Sequence, residues 1–236
     1  MQCVILAAGK GTRLRPLTDT TPKPLVKVGG KTILDHIVSA LPEDIKEIIL
    51  VTNYLEEQIK DYCGANFHGR KVKYVSQENP AGGTGQALIT AKDLVKDKFL
   101  FMYSDDIHGA EALERVVKED DAMLVTEVSN PGQFGVVYTN EDGYLDKIVE
   151  KPENPDSNLI NIGGFVISPE IFSYRAEASD NGEVYVTDML TKYSQKNPVK
   201  VIKQDLWLPI GTQEQLLAAE EYLQNTLLKE DVVLHK

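Results

Sequence analysis

Only two cysteines, Cys3 and Cys63, occur in the 236 residues, and neither stands at a metal-ligand spacing. A disulfide framework has nothing to build on, and two reduced thiols, one inside a buried strand, are expected of a cytosolic chain. Histidine is also scarce. His36, His68, His108 and His235 show no triad or ligand spacing, and no G-x-S-x-G elbow occurs. No apolar run approaches the roughly 20 residues of a membrane-spanning helix. The N-terminus has no basic segment and its apolar run breaks at Gly9, so a secretory leader is not expected and a cytoplasmic location is. Positive charge is in deficit, 25 Lys+Arg against 36 Asp+Glu for a net −11. That balance argues against nucleic acid or an anionic membrane as partner. What remains is 42% hydrophobic and 26% charged, a globular composition long enough to bury a large core.

The charge is unevenly spread. Residues 10–31 carry Lys10, Arg13, Arg15, Lys23, Lys27 and Lys31 with Asp19 as their only acid. A basic island in an acidic chain suits a small polyanion site, and the alternative is a solvated basic face. Around it the chain alternates. Apolar runs at 2–6, 47–51, 72–75 and 99–103 read as buried strands. Helical spacing covers 32–41, 55–63 and 84–94. Such alternation predicts an α/β fold: a Rossmann-like, mixed but mainly parallel sheet with helices on both faces. Ligands in such sheets bind at the carboxyl ends of strands. There the polar or glycine-rich loops 7–13, 76–85 and 104–106 converge. Past residue 120 the rhythm becomes strands at 122–128, 134–138, 145–149 and 163–167, a smaller mixed lobe. A helix near 187–195, a strand at 199–203 and a last helix follow. One domain over 1–236 is expected: a first half (1–120), a second half (121–211) and a C-terminal helix (212–230). Thr212 and Gln215 have the spacing of a capping box. The stripe Leu216, Ala219, Leu223 and Leu227 reads as core packing, with a contact in a homo-oligomer as the alternative.

The first motif with chemistry is Leu6-Ala7-Ala8-Gly9-Lys10-Gly11-Thr12-Arg13. Small residues let the backbone approach a ligand, and consecutive N–H groups can cradle phosphate oxygens. It is neither a Walker loop nor G-x-G-x-x-G, because position 14 is leucine. Arg13 offers a planar fork for phosphate. Lys23, between Pro22 and Pro24, sits in a loop with restricted φ.

Gly9 through Thr18, followed by Pro22-Lys23, resembles the signature of the sugar-1-phosphate nucleotidyltransferases, of the glucose-1-phosphate thymidylyl- or uridylyltransferase kind and the archaeal-type N-terminal pyrophosphorylase domain. The likeness runs to about residue 222 through Gln77 to Gly85, Tyr103 to Asp106, Phe134 to Val137, Ile148 to Pro152, Asn161 to Gly163, Gly182 to Asp188 and Trp207 to Thr212. It implies the nucleotide-diphospho-sugar transferase fold with a small sugar-binding lobe. It also implies an enzyme that joins an NTP, UTP or dTTP foremost, to a sugar 1-phosphate such as glucose 1-phosphate or N-acetylglucosamine 1-phosphate, releasing pyrophosphate with Mg²⁺. By position, Leu6, Ala8, Gly9, Gly11, Thr12, Arg13, Lys23, Gln77, Gly83 and Thr84 would bind the nucleotide. Arg13, Lys23 and Asp105 would be catalytic, with Asp105 the metal ligand. Gly135, Glu150, Lys151 and Asn161 would bind the sugar phosphate. Gln77 offers a donor and an acceptor to the imide edge of uracil or thymine, with Glu78 the lesser candidate.

One position departs from the pattern. The family carries W-x-D-x-G-T late in the chain, its aspartate the second metal ligand, and Pro209 stands there instead. The alternatives are metal held by Asp105, water and phosphates alone, substitution by Asp106 or Asp205, or a nucleotide-sugar-binding regulatory protein. A cytidylyltransferase for a non-sugar phosphate is the further alternative within the fold.

Overall fold

Both sides of the first strand are apolar, and both are buried. In β1 (Gln2–Ala7), Cys3, Ile5 and Ala7 join one core cluster, Val4 and Leu6 a second. Side chains alternate across a strand, so such a strand needs packed layers on both faces of its sheet. The computed structural model describes residues 1–179 and 182–234, without the side chains of 80 and 227–234.

After β1 come a small hairpin, β2 (Lys27–Val28) and β3 (Lys31–Thr32), then α1 (Ile33–Ala40), β4 (Glu47–Thr52), α2 (Glu56–Cys63), β5 (Asn66–Phe67), β6 (Arg70–Ser76), α3 (Gly83–Thr90) and β7 (Phe99–Tyr103). The chain continues as β8 (Asp106–His108), α4 (Ala110–Val116), β9 (Ala122–Glu127), β10 (Gly135–Thr139), β11 (Leu145–Glu150) and β12 (Leu159–Ile167). It closes with α5 (Val186–Ser194), β13 (Lys200–Lys203), β14 (Trp207–Pro209) and α6 (Gln213–Leu234). The main sheet runs β11-β10-β12-β7-β1-β4-β6-β5, with β9 on β12 and β13 on β9. Strands β7, β1, β4 and β6 are parallel; β12 runs antiparallel to β7, and β10 to β11. The α/β expectation therefore holds: a Rossmann-like mixed sheet, parallel in its first half, with α1, α2 and α4 over one face and α3 and α5 over the other. Each fully buried Leu or Ile in these layers contributes about 1.5–3 kcal/mol.

Boundaries differ from the sequence reading in instructive places. Strand β12 begins at Leu159, ahead of the expected 163, because Gly163 and Gly164 take φ of +74° and +76° and absorb an irregularity inside the strand. Strands β8 and β14 pair with each other, too short to leave a periodic signal. Helix α3 ends at Thr90, short of the expected 94. On α6, Leu216, Ala219 and Leu223 pack on the first core cluster; Leu227 and His235 lie outside the described side chains. Among the described residues no helix is long and apolar enough to cross a membrane.

Candidate active site

The loop after β1 is shaped by one glycine. Gly11 has φ +62°, and a Cβ there would stand 3.1 Å from both Lys23 Cβ and Thr18 Cγ2. The Thr18 hydroxyl donates to the Gly11 carbonyl at 2.8 Å, and the next turn is pinned by Leu14, which is fully buried. This leaves Arg13 between two anchors. Lys23 opens a tight turn in which Val26 N–H donates to its carbonyl at 3.0 Å. Its side chain is buried, and Nζ lies 2.5 Å from Asp105 Oδ2, just past the carboxyl end of β7. A cleft of about 370 Å³ opens here, and all the residues expected at the nucleotide line it: Leu6, Ala8, Gly9, Gly11, Thr12, Arg13, Lys23, Gln77, Gly83 and Thr84. The basic island splits. Only Arg13 and Lys23 of its cations reach this wall, while Arg15 pairs with Asp19 at 3.0 Å on the surface and Lys27 and Lys31 sit exposed on the β2–β3 hairpin.

Gln77 is spent differently from the sequence expectation. Its Nε2 donates to the carbonyls of Asn79 (3.1 Å) and Gly83 (3.3 Å), so the donor half holds the turn and only Oε1 faces the cleft without a protein partner among the described residues. Glu78 is exposed and does not line the cleft. The turn is in turn bonded to a distant segment. Gly85 N–H donates to Val184 O at 2.7 Å, Val184 N–H to Gly82 O at 2.9 Å, and Val186 N–H to Thr84 Oγ1 at 3.1 Å. A Cβ on Gly83 (φ +82°) would fall 2.6 Å from Val184 O, which is why glycine is needed.

A second cleft of about 290 Å³ adjoins the first and shares Arg13, Thr84, Tyr103, Asp105 and Gly211 with it. Gly135, Glu150 and Asn161 line it, as expected of a sugar pocket; Lys151 does not. Lys151 has φ +45°, its N–H donates to Phe134 O at 3.0 Å, and its largely exposed ammonium stands 3.9 Å from Glu150 Oε1. Burial pushes the Glu150 carboxyl above its usual range; Lys151 opposes this, while Asp188 and Glu183 add to it. A Cβ on Gly135 would meet Glu150 Oε2 at 3.1 Å. Sequence reasoning passed over Tyr103, Thr187, Trp207 and Gln215 as site residues, yet all line this cleft. The Thr187 hydroxyl is buried with no partner among the described residues, a cost normally met by a bound group. A hydroxyl ahead of Asp188 at a helix start gives no sequence signal of its own.

At the seam, β8 and β14 set Pro209 opposite Asp106, and Ile210 N–H donates to Asp105 O at 2.8 Å. The Asp106 carboxylate accepts the Trp207 indole N–H at 2.8 Å. Burial, and then the neighbouring Asp105 charge, push Asp106 well above the carboxylate range, against the Trp207 bond and Lys23. Asp205 is exposed and lines neither cleft. Among the described residues no set of three acidic, His or Cys groups could enclose a metal. A Mg²⁺ site here would rest on Asp105, with water and ligand oxygens completing it. That donor set fits Mg²⁺, which takes hard oxygens and few protein ligands.

The chain is similar to known proteins over most of its length. The family model described as "Nucleotidyl transferase" matches residues 2–226. The Bifunctional protein GlmU of Methanocaldococcus jannaschii is 36% identical over 252 residues, covering 100% of this chain and 60% of GlmU. The UTP--glucose-1-phosphate uridylyltransferase AglF of Haloferax volcanii is 34% identical over 236 residues, covering 95% of this chain and 97% of AglF. The chain thus spans little more than half the length of the bifunctional relatives it matches. A Bacillus anthracis protein described as a glucose-1-phosphate thymidylyltransferase superposes with a TM-score of 0.85 at 28% identity, covering 94% of this chain and 95% of that one. A UDP-glucose pyrophosphorylase complexed with UDP-glucose, at 22% identity and a TM-score of 0.83 over 95% of this chain and 98% of its own, shares the fold.

Proposed function

Because the chain belongs to the nucleotidyl transferase family, we propose that it joins a nucleoside triphosphate to a sugar 1-phosphate, giving a nucleoside diphosphate sugar and pyrophosphate. The observation that carries this reading is the pair of adjoining clefts that share Arg13 and Asp105 at their seam. The triphosphate occupies the first cleft and the sugar phosphate the second. An oxygen of the sugar phosphate, already ionised near neutrality, attacks the α-phosphorus; the bond from that phosphorus to the bridging oxygen breaks and pyrophosphate leaves. No general base is needed, and among the described residues no histidine lines either wall. Catalysis is then alignment of two polyanions and neutralisation of their charge. Arg13 spans the β- and γ-phosphates, and Lys23, stiffened by its turn and its pairing with Asp105, stabilises the α-phosphate. Asp105 would hold Mg²⁺, which when bound would supply further charge neutralisation on the phosphates. Lys151 serves the sugar phosphate from the rim.

Base choice follows from Gln77. With its N–H groups committed to backbone carbonyls, Oε1 is an acceptor that matches the N3–H of uracil or thymine, and UTP and dTTP are the donors proposed. On the other side, Glu150, Asn161 and the unpartnered Thr187 hydroxyl suit a polyhydroxylated acceptor, glucose 1-phosphate or N-acetylglucosamine 1-phosphate. Pro209 supports a second reading, a nucleotide-sugar-binding protein with a weakened metal site. Pyrophosphate release with Mg²⁺, scanned over five NTPs and these sugar phosphates, separates the two. Turnover with UTP or dTTP is expected; tight binding of a nucleoside diphosphate sugar without turnover by any pair would favour the second.

A further inference from the structure

Resting on the reading that the two clefts hold an NTP and a sugar 1-phosphate, we infer that Gln215 is an additional phosphate-binding residue, its side-chain N–H groups donating to the phosphate of the sugar substrate beside Arg13. The first support is orientation. Thr212 and Gln215 have capping-box spacing, but only half the box forms: Gln215 N–H donates to Thr212 Oγ1 at 3.2 Å. The Gln215 side chain turns instead to Gly211, whose N–H donates to Oε1 at 2.8 Å. Oε1 is held by Gly211, and Nε2 has no partner among the described residues. The second support is position. Gln215 lines the sugar-side cleft, and a Cβ built on Gly211 would stand 2.9 Å from Gln215 Oε1 and 3.2 Å from Arg13 Nη2. Amide and guanidinium therefore flank one backbone atom.

The third support is charge. Among the described residues that line this cleft Arg13 is the only Lys or Arg; it faces Asp105, Asp106 and Glu150 and in the proposed reaction is taken by the β- and γ-phosphates. A phosphate dianion of the sugar entering there needs further donors. At the corner between β14 and α6, Pro209 has no N–H, Ile210 N–H is bonded to Asp105 O, and Gly211 N–H is bonded to Gln215. The Gln215 amide is a side-chain donor without a partner there among the described residues, and a hydrogen bond to a charged oxygen is among the stronger kinds.

Two substitutions separate phosphate binding from simple support of Gly211. Gln215→Glu keeps an acceptor for Gly211 N–H but replaces the donor with an anionic oxygen, whereas Gln215→Ala removes both. With glucose 1-phosphate as the varied substrate, Gln215→Ala should raise its KM about tenfold, the scale of one hydrogen bond to a charged group. Gln215→Glu should raise it further while melting at the wild-type temperature, and KM for the NTP should stay within about threefold in both. A wild-type KM in Gln215→Glu beside an impaired Gln215→Ala would reduce the residue to a support for Gly211 and overturn the assignment. Should the wild-type protein turn over no NTP and sugar phosphate pair, the underlying reading falls by itself. Calorimetric titration of glucose 1-phosphate onto the UTP-loaded protein then still decides Gln215: weaker binding in Gln215→Glu upholds it, while equal affinity, or no binding by the wild type, overturns it.

Discussion

The two clefts are built from different materials. The first lies over the carboxyl ends of parallel strands, and much of its wall is backbone: Ala8, Gly9, Gly11 and Gly83 bring the main chain itself to the ligand. The second lies against antiparallel strands, and its wall is side chain: Glu150, Asn161, Thr187, Trp207 and Gln215, drawn from widely separated segments. A backbone wall fixes position with few degrees of freedom and suits phosphates and a planar base. A side-chain wall can be altered one residue at a time, and under the proposed function it is the wall that would choose the acceptor.

Removing the charges that lie at the junction should have the largest effect. Arg13→Ala and Lys23→Ala should each lower kcat by at least about 100-fold, the scale of losing one charge-stabilising donor, with the circular dichroism spectrum unchanged. Near-wild-type turnover in either would break the contrast between cations near the junction and walls beyond it that carry none. Next, one added methyl group probes each wall. Gly83→Ala sets a Cβ 2.6 Å from a backbone carbonyl at a φ of +82°, so it should cost at least about 1–2 kcal/mol of stability and weaken NTP binding in calorimetry. Gly135→Ala meets a carboxylate oxygen at 3.1 Å, the end of a side chain that can give way. It should raise KM for the sugar phosphate several-fold and leave NTP affinity intact. Equal effects of the two would erase the distinction between backbone and side-chain walls.

The smallest catalytic effect is expected far from either cleft. Burial alone would raise the Asp35 carboxyl, but bonds from Tyr62, His68 and Thr32 hold it well below the carboxylate range. A depressed acid stabilises the fold fully above its unfolded value of about 4 and loses that contribution as pH falls towards its folded value. Asp35→Asn should therefore lower Tm at pH 6, and the gap to wild type should narrow towards pH 2 in thermal melts, with kcat unchanged throughout. A constant gap would assign the effect to packing.

The same difference in materials explains what could be read in advance. The parallel half announced itself through continuous apolar strands ending in glycine-rich loops, and the positions expected around the nucleotide do surround one cleft. Lys10, Lys27 and Lys31 were indistinguishable from Arg13 by composition, because a charge count carries no direction. The direction of the Gln77 amide was equally hidden, since it depends on the carbonyls of Asn79 and Gly83. Thr187 lay inside a matched block and Gln215 in a capping-box spacing, but neither pointed to a cleft, because each meets it through elements from other parts of the chain. The pairing of β8 with β14, which sets Pro209 against Asp106, leaves no periodicity in either segment.

The hydrogen bonds between Gly82–Gly85 and Val184–Val186 tie a wall of the first cleft to a wall of the second. If the two proposed substrates bind there and the first shifts that shared piece, thermodynamic reciprocity requires each to alter the other's affinity by the same factor.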